Sequence, residues 1–176
     1  MKSEPASTLE SLHADAFGWA LHCCHGDYGR AEDVLQTAYL KVLRRPDGFA
    51  GLATFKTWWF GVIRLTAMEE FRRLTLRSTW LGRLLSSGPE VAETPTPAAS
   101  LELAETTAHV RELLAQLSPR QAEVLHLVFY QDLSLSAAAE VMGIGIGSAR
   151  QHYERGKQRL REIYQPSETT FAHEGS

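Results

Sequence analysis

The chain has 176 residues, 44% hydrophobic and 22% charged, which suits one globular domain or two small ones and excludes a disordered chain or a membrane-spanning helix. Its net charge of −3, taken alone, argues against a polyanion partner, but the placement of the charges matters more than their sum. The opening MKSEPASTLESLHADAFGWA puts polar and acidic groups where a secretion signal needs an apolar core, so a cytoplasmic protein is expected.

Helical spacing dominates from the start. Leu9, Leu12, Ala16, Ala20 and Cys23 recur every three or four residues and predict a first helix. Ala31, Val34, Leu35, Ala38, Tyr39 and Val42 predict a second, closed by Arg45-Pro46. A long third helix carries Phe55, Trp58, Trp59, Val62, Ile63, Thr66, Ala67 and Phe71, with Thr54 as its N-cap. Residues 86–100, SSGPEVAETPTPAAS, break the pattern with three prolines and a glycine, the composition of a linker. The helical stripe resumes at Leu103, Val110, Leu114 and Leu117. In "LSPRQ", Ser118 caps, Pro119 takes the first helical position and Gln121 completes a capping box. A helix through Val124, Leu125 and Val128 follows, then Ser134–Met142, a glycine turn, and a last helix to about Tyr164. The expectation is an all-α chain of two small helical domains, 8–84 and 102–165, joined by a flexible acidic linker over 85–101 and followed by a disordered tail over 166–176.

The glycines of "VMGIGIGSARQ" raise two readings. A phosphate cradle needs a strand before it and a G-x-G-x-x-G or P-loop pattern. Here an alanine-rich helical stretch precedes Gly143 and neither pattern fits. A helix-turn-helix fits: Ala138 and Ala139 are small where helices cross, Gly143 takes the bend with positive φ, Ile144 plugs the angle, and Gly147 or Ser148 opens the next helix. In that helix Ala149, Tyr153, Gly156, Leu160 and Ile163 share one stripe. Arg150, Gln151, Glu154, Arg155, Lys157, Gln158 and Arg161 take the rest, the residue types that read base edges and neutralise phosphates.

Charge is segregated accordingly. Residues 62–84 carry five arginines against two glutamates, +3, and residues 146–161 five cations against Glu154, +4. Between them, residues 85–112 carry five glutamates against Arg111, −4. Two cationic patches flank an acidic spacer, the footprint of nucleic-acid binding. "HCCH" at 22–25 invites a metal, but four consecutive helical residues point about 100° apart and do not converge. Using His22 and Cys23 with His13 or another helix would be needed, and burial of Cys23 or Cys24 against the second helix is the favoured reading. No cofactor, metal site or catalytic constellation is expected.

Residues 113–162, "LLAQLSPRQAEVLHLVFYQDLSLSAAAEVMGIGIGSARQHYERGKQRLRE", resemble region 4 of the extracytoplasmic-function sigma factors of bacterial RNA polymerase, through Leu114, Leu117, Pro119, Arg120, Gln121, Glu123, Val124, Leu125, Leu133, Ser134, Ala139, Glu140 and Gly143. "YGRAEDVLQTAYLKVLRRPDGFAGLATFKTWWFGVIRLTAMEEFRR" resembles region 2. The resemblance implies a non-catalytic initiation subunit whose partners are the polymerase core (β′ clamp helices and β flap) and promoter DNA. An anti-sigma factor is a further candidate partner, and no membrane contact is implied. It assigns Asp33, Leu35, Gln36 and Tyr39 to the core enzyme. It assigns Phe55, Lys56, Thr57, Trp58, Trp59 and Arg64 to the melted minus-ten strand, with Arg72 and Arg73 near phosphates. Ser148, Arg150, Gln151, His152, Arg155 and Lys157 fall to the minus-thirty-five duplex. Aromatics beside cations suit single strands on physical grounds, since base stacking is worth about 1–3 kcal/mol per base; the apolar stripe claims at least one of Trp58 and Trp59 for the core. The chain departs from the family at Leu65, where a polar Asn is common, at Thr37 and Ala137, each in place of Glu, and in the opening Ser148–His152 of the last helix. A stand-alone helix-turn-helix regulator with a degenerate sigma-like N-terminal domain is the alternative reading, and a small nucleotide-binding enzyme a third.

Overall fold

A computed structural model describes residues 5–82 and 116–164. Within them lie seven α-helices and no strand. The expected linker, the stripe from Leu103 to Leu114 and the tail fall outside the described residues.

The first lobe comprises α1 (Pro5–Ser11), α2 (His13–Cys23), α3 (Tyr28–Arg44) and the long α4 (Phe55–Gly82). The single first helix read from the sequence is interrupted: Leu12 leaves helical geometry, and the Ser11 hydroxyl turns back to the carbonyl of Thr8 at 2.9 Å. Between α2 and α3 the chain reverses through His25 and Gly26, both at positive φ. Asp27 then caps α3, accepting from the Arg30 amide at 3.0 Å. Thr54 caps α4 as expected, through the Thr57 amide at 3.2 Å. Ala16, Trp19, Ala20, Val34, Leu35, Ala38, Trp59, Phe60 and Ile63 meet in the core. Trp19 keeps its indole N–H satisfied there, donating to the Phe60 carbonyl at 3.0 Å.

The second lobe comprises α5 (Pro119–Phe129), α6 (Leu135–Met142) and α7 (Ile146–Tyr164). The capping box at Ser118 and Gln121 is formed in both directions. Gly143 closes α6 in the left-handed region, at φ 64°. Ile144, half-buried, packs against the core beside it, and its amide returns to the Ala139 carbonyl. The last helix begins at Ile146, earlier than the Gly147 or Ser148 expected. Ala149 and Gly156 are buried and Tyr153, Leu160 and Ile163 half-buried, so the stripe read from the sequence is the one that packs.

Gly156 sits hard against α5. A Cβ there would lie 2.8 Å from Leu125 Cδ1 and 3.3 Å from Gln121 Cβ. Alanine at this position would gain about 1 kcal/mol of helix propensity, yet overpacking costs about 1–3 kcal/mol. Gly156→Ala is therefore expected to lower stability by on the order of 1 kcal/mol, measured as a lower urea midpoint at unchanged m-value.

Candidate nucleic-acid interface

Two surfaces carry the cations, one on each lobe. On α7 the buried stripe fixes the orientation of everything else. Ser148, Arg150, Gln151 and Arg155 are exposed along the opening turns, and His152 is half-buried beside them. Lys157 lies over the Tyr153 ring at 4.5 Å and pairs with Glu154 at 3.1 Å. Arg159 is held by Glu162 and Gln116. Among the described residues no ion pair engages Arg150 or Arg155. The N-terminal half of α7 thus presents free guanidinium groups and an amide on a rigid, capped helix-turn-helix, the arrangement a groove-reading helix requires.

On the first lobe the expected cluster divides by helix face. Lys56, Phe60 and Arg64, four residues apart in succession, lie along one face of α4. Lys56 Nζ pairs with Asp15 at 2.8 Å and rests over Phe60 at 5.5 Å. Trp58 and Leu65 point to another face, where a cleft of 310 Å³ runs under the loop Gly48–Ala53. Trp58 there packs with Phe49 and Phe55, each ring pair 5.4 Å apart. Leu52 at the loop tip is 94% exposed. Trp59 faces neither surface: it is fully buried with its ring against Tyr39 at 5.0 Å. Thr57 is also buried, its hydroxyl against that of Thr54 at 2.8 Å. The expectation that Trp59 and Thr57 touch a DNA strand is corrected on that ground. Arg72 and Arg73 are exposed farther along α4, Arg73 within 3.4 Å of Glu70. The cations that do adjoin Trp58 are Lys41 and Arg45 at the end of α3, which line a second cleft with it. They went unremarked in the sequence because their nearness to Trp58 arises only when α3 packs on α4.

The docking residues separate in the same way. Asp33 and Gln36 are exposed on α3 and share a groove with Leu40, Glu69 and Arg73. Leu35 is 3% exposed and belongs to the core, which corrects its assignment to a partner surface. Tyr39 is half-buried, its hydroxyl 3.0 Å from His13 Nδ1.

The two lobes meet along a seam that the sequence did not foretell. Arg64 is 8% exposed, and its guanidinium is bound by Glu123 of α5, which also accepts from Arg120 at 3.1 Å. The rings of His22 and His126 stack at 4.4 Å, flanked by Trp19 on one side and Tyr130 on the other. Gln131, buried, donates to the Asp15 carbonyl at 3.3 Å. α6 packs across α4, and Glu140 reaches the cleft of Trp58. Burial pushes His22 down to about 4, partly opposed by Glu123, and His126 down to about 3, with His22 adding to the effect. The adjacent thiols move the other way. Burial raises Cys24 to about 11 and Cys23 well above the ordinary thiol range. No group of three His, Cys, Asp or Glu among the described residues is placed to hold a metal ion.

Residues 9–77 match the Sigma-70 region 2 family and residues 113–162 the Sigma-70, region 4 family. The chain belongs to the sigma-70 proteins, the promoter-recognition subunits of bacterial RNA polymerase. Within them it is an alternative sigma factor of the extracytoplasmic-function group, acting in transcription initiation. It is 27% identical over 157 residues to the ECF RNA polymerase sigma factor SigX of Bacillus subtilis, across 87% of this chain and 79% of that one. With RNA polymerase sigma factor CarQ of Myxococcus xanthus it shares 26% over 133 residues, 76% and 74% of the two chains. Among solved structures, the sigma factor RpoE in complex with the anti-sigma factor NepR from Bartonella quintana superposes with a TM-score of 0.68 at 23% identity, over 92% of this chain and 97% of that one. CnrH in complex with the cytosolic domain of CnrY gives 0.60 at 18% identity, over 89% and 85%. No helix of the described residues is long and apolar enough to cross a membrane.

Protonation of the seam histidines gives the closed arrangement a pH dependence. With pKa values depressed below the ordinary 6.5, both stay neutral while the lobes are joined, and both take up protons when exposed. Closure therefore has its full stability above about pH 7.5 and weakens as pH falls through 6.5 toward 4, by up to about 1.4 kcal/mol per pH unit for each ring. Urea unfolding at pH 8.5, 7.5 and 5.5 should give equal stability at the first two and a clear loss at the third. Replacing both histidines by phenylalanine should flatten that dependence.

Proposed function

We propose that the chain acts without chemistry of its own, as a polymerase subunit whose two lobes read two parts of one promoter. The helix-turn-helix lobe reads duplex DNA through α7, with Arg150 and Gln151 on base edges and Ser148, His152, Arg155 and Lys157 on phosphates and sugars. The first lobe holds the separated strand at Trp58, Phe55 and the Phe49–Ala53 loop, with Lys41 and Arg45 beside Trp58 and Arg72 farther along α4 supplying positive charge. Asp33 and Gln36 on the outer face of α3 engage the core enzyme. The observation that carries this reading is the pair of unneutralised guanidinium groups at the start of α7, on a helix whose opposite stripe is locked into a capped bend.

Reconstitution with core polymerase tests each half. Arg150→Ala is expected to weaken promoter-specific binding by about 1–3 kcal/mol and to relax the preference at one position of the upstream element. A binding-site selection that returns the unaltered sequence would refute the base contact. Asp33→Lys combined with Gln36→Ala should reduce co-elution with core enzyme while leaving thermal stability in place, since both side chains are exposed.

A further inference from the structure

Trp58 and Leu65 form a wall shared by two clefts of opposite character. On one side Lys41 and Arg45 line the cleft. Lys41 is held by Glu69 at 2.6 Å and Thr66 at 3.1 Å, whereas among the described residues no ion pair engages Arg45. On the other side the 310 Å³ cleft under the Gly48–Ala53 loop is walled by Phe49, Leu52, Ala53, Trp58, Val62 and Leu65. Its volume stands at the lower end of the range for small-ligand sites, about 300–1,000 Å³, and gives room for one unstacked base. The Thr57 hydroxyl beside it is buried and engaged with Thr54 at 2.8 Å. The Trp58 indole N–H only donates. Among the described residues of the first lobe, no side chain along this cleft offers a free acceptor. Glu140, the carboxylate at its mouth, belongs to the other lobe, which the proposed reading places on duplex DNA.

Which base suits such a cleft follows from what each would leave unpaired. Cytosine and adenine bring an amino group, guanine an amino group and a ring N–H, and a donor buried without an acceptor loses its full solvation. Thymine brings a single ring N–H, two carbonyl oxygens that can accept from the indole, and a methyl group that apolar side chains recognise. Leu52 is 94% exposed and Leu65 57%, apolar surface that a methyl-bearing ring would cover. We infer that this cleft selects thymine in the separated strand and that Leu65 is the residue that determines the choice. Its side chain withholds the acceptor that an amino-bearing base needs and supplies the apolar contact for the methyl. The neighbouring phosphates then lie on the Lys41–Arg45 side of the same wall. Base selection at this wall rests on the strand-binding reading of Trp58 given above.

Fluorescence anisotropy on the full-length chain assembled with core polymerase tests this, with core alone as background. The probes are fluorescein-labelled 12-nucleotide strands of abasic sites carrying one central base, thymine, uracil, cytosine, 5-methylcytosine or adenine, beside a fully abasic strand. Thymine should bind about tenfold or more tighter than cytosine or adenine. Uracil, which lacks only the methyl, should lose about fourfold against thymine, and 5-methylcytosine should regain about as much over cytosine. Leu65→Asn, which adds an amide oxygen at an exposed position, should level thymine with cytosine and adenine at an unchanged thermal midpoint. Trp58→Ala should bring every strand down to the abasic one. Gly61→Leu should do the same by filling the cleft: Gly61 shares the helix face of Trp58 and Leu65, and a Cβ there would meet no heavy atom within 4 Å. If all five bases bind above the abasic strand without preference, and Trp58→Ala or Gly61→Leu lowers them, thymine selection is refuted and the strand-binding reading stands. A thymine preference that survives Leu65→Asn refutes the role of Leu65. If no base raises binding above the abasic strand and Trp58→Ala changes nothing, the strand-binding reading fails and base selection fails with it.

Discussion

A guanidinium taken out of water must be given a negative partner, and in this chain Arg64 finds it on the other lobe. The cost of burying either charge alone is several kcal/mol, so removing one side of such a pair is far more damaging than replacing both. Arg64 is set by the register of α4, and Glu123 by the Ser118 capping box that starts α5. The two lobes, each with its own helices and caps, are thereby fitted at one point, and the histidine stack and the Gln131 hydrogen bond align the rest of the seam around it. Neutral groups alone would let the lobes slide. A charge pair with one partner in each lobe gives the contact a register.

Local signals in the sequence were strong wherever one helix sufficed to express them. The bend at Gly143, the capping box, the Thr54 cap and the stripe through Ala149 and Gly156 each depend on residues within a turn or two, and the structure has all of them. The close approach at Gly156 was inferable from a glycine placed in a helix that would have preferred alanine. Motif matching, by contrast, treated neighbouring residues as a unit. Phe55 to Arg64 was read as one strand-binding surface, whereas the helix sends Lys56 and Arg64 to the seam, Trp58 to a cleft and Trp59 into the core. Leu35 lost its surface role in the same way, between the exposed Asp33 and Gln36.

Tertiary pairing lay beyond any reading of spacing. His22 and His126 are 104 positions apart and carry no sequence mark of each other; only the packing of α2 against α5 brings their rings together. Lys41 and Arg45 gained their place beside Trp58 for the same reason. The comparison separates two kinds of information. Helix faces and caps are written along the chain, whereas which face meets which is decided by packing.

The adjacent thiols of Cys23 and Cys24 carry a consequence for their own reactivity. Nucleophilic attack on peroxide or an electrophilic metabolite proceeds through the thiolate. With Cys24 raised to about 11, only about one molecule in ten thousand bears that anion at neutral pH, and burial raises Cys23 well above the ordinary thiol range too. The two sulfurs at the end of α2 are thus weak nucleophiles at neutral pH, held as neutral thiols by the packing of that helix end.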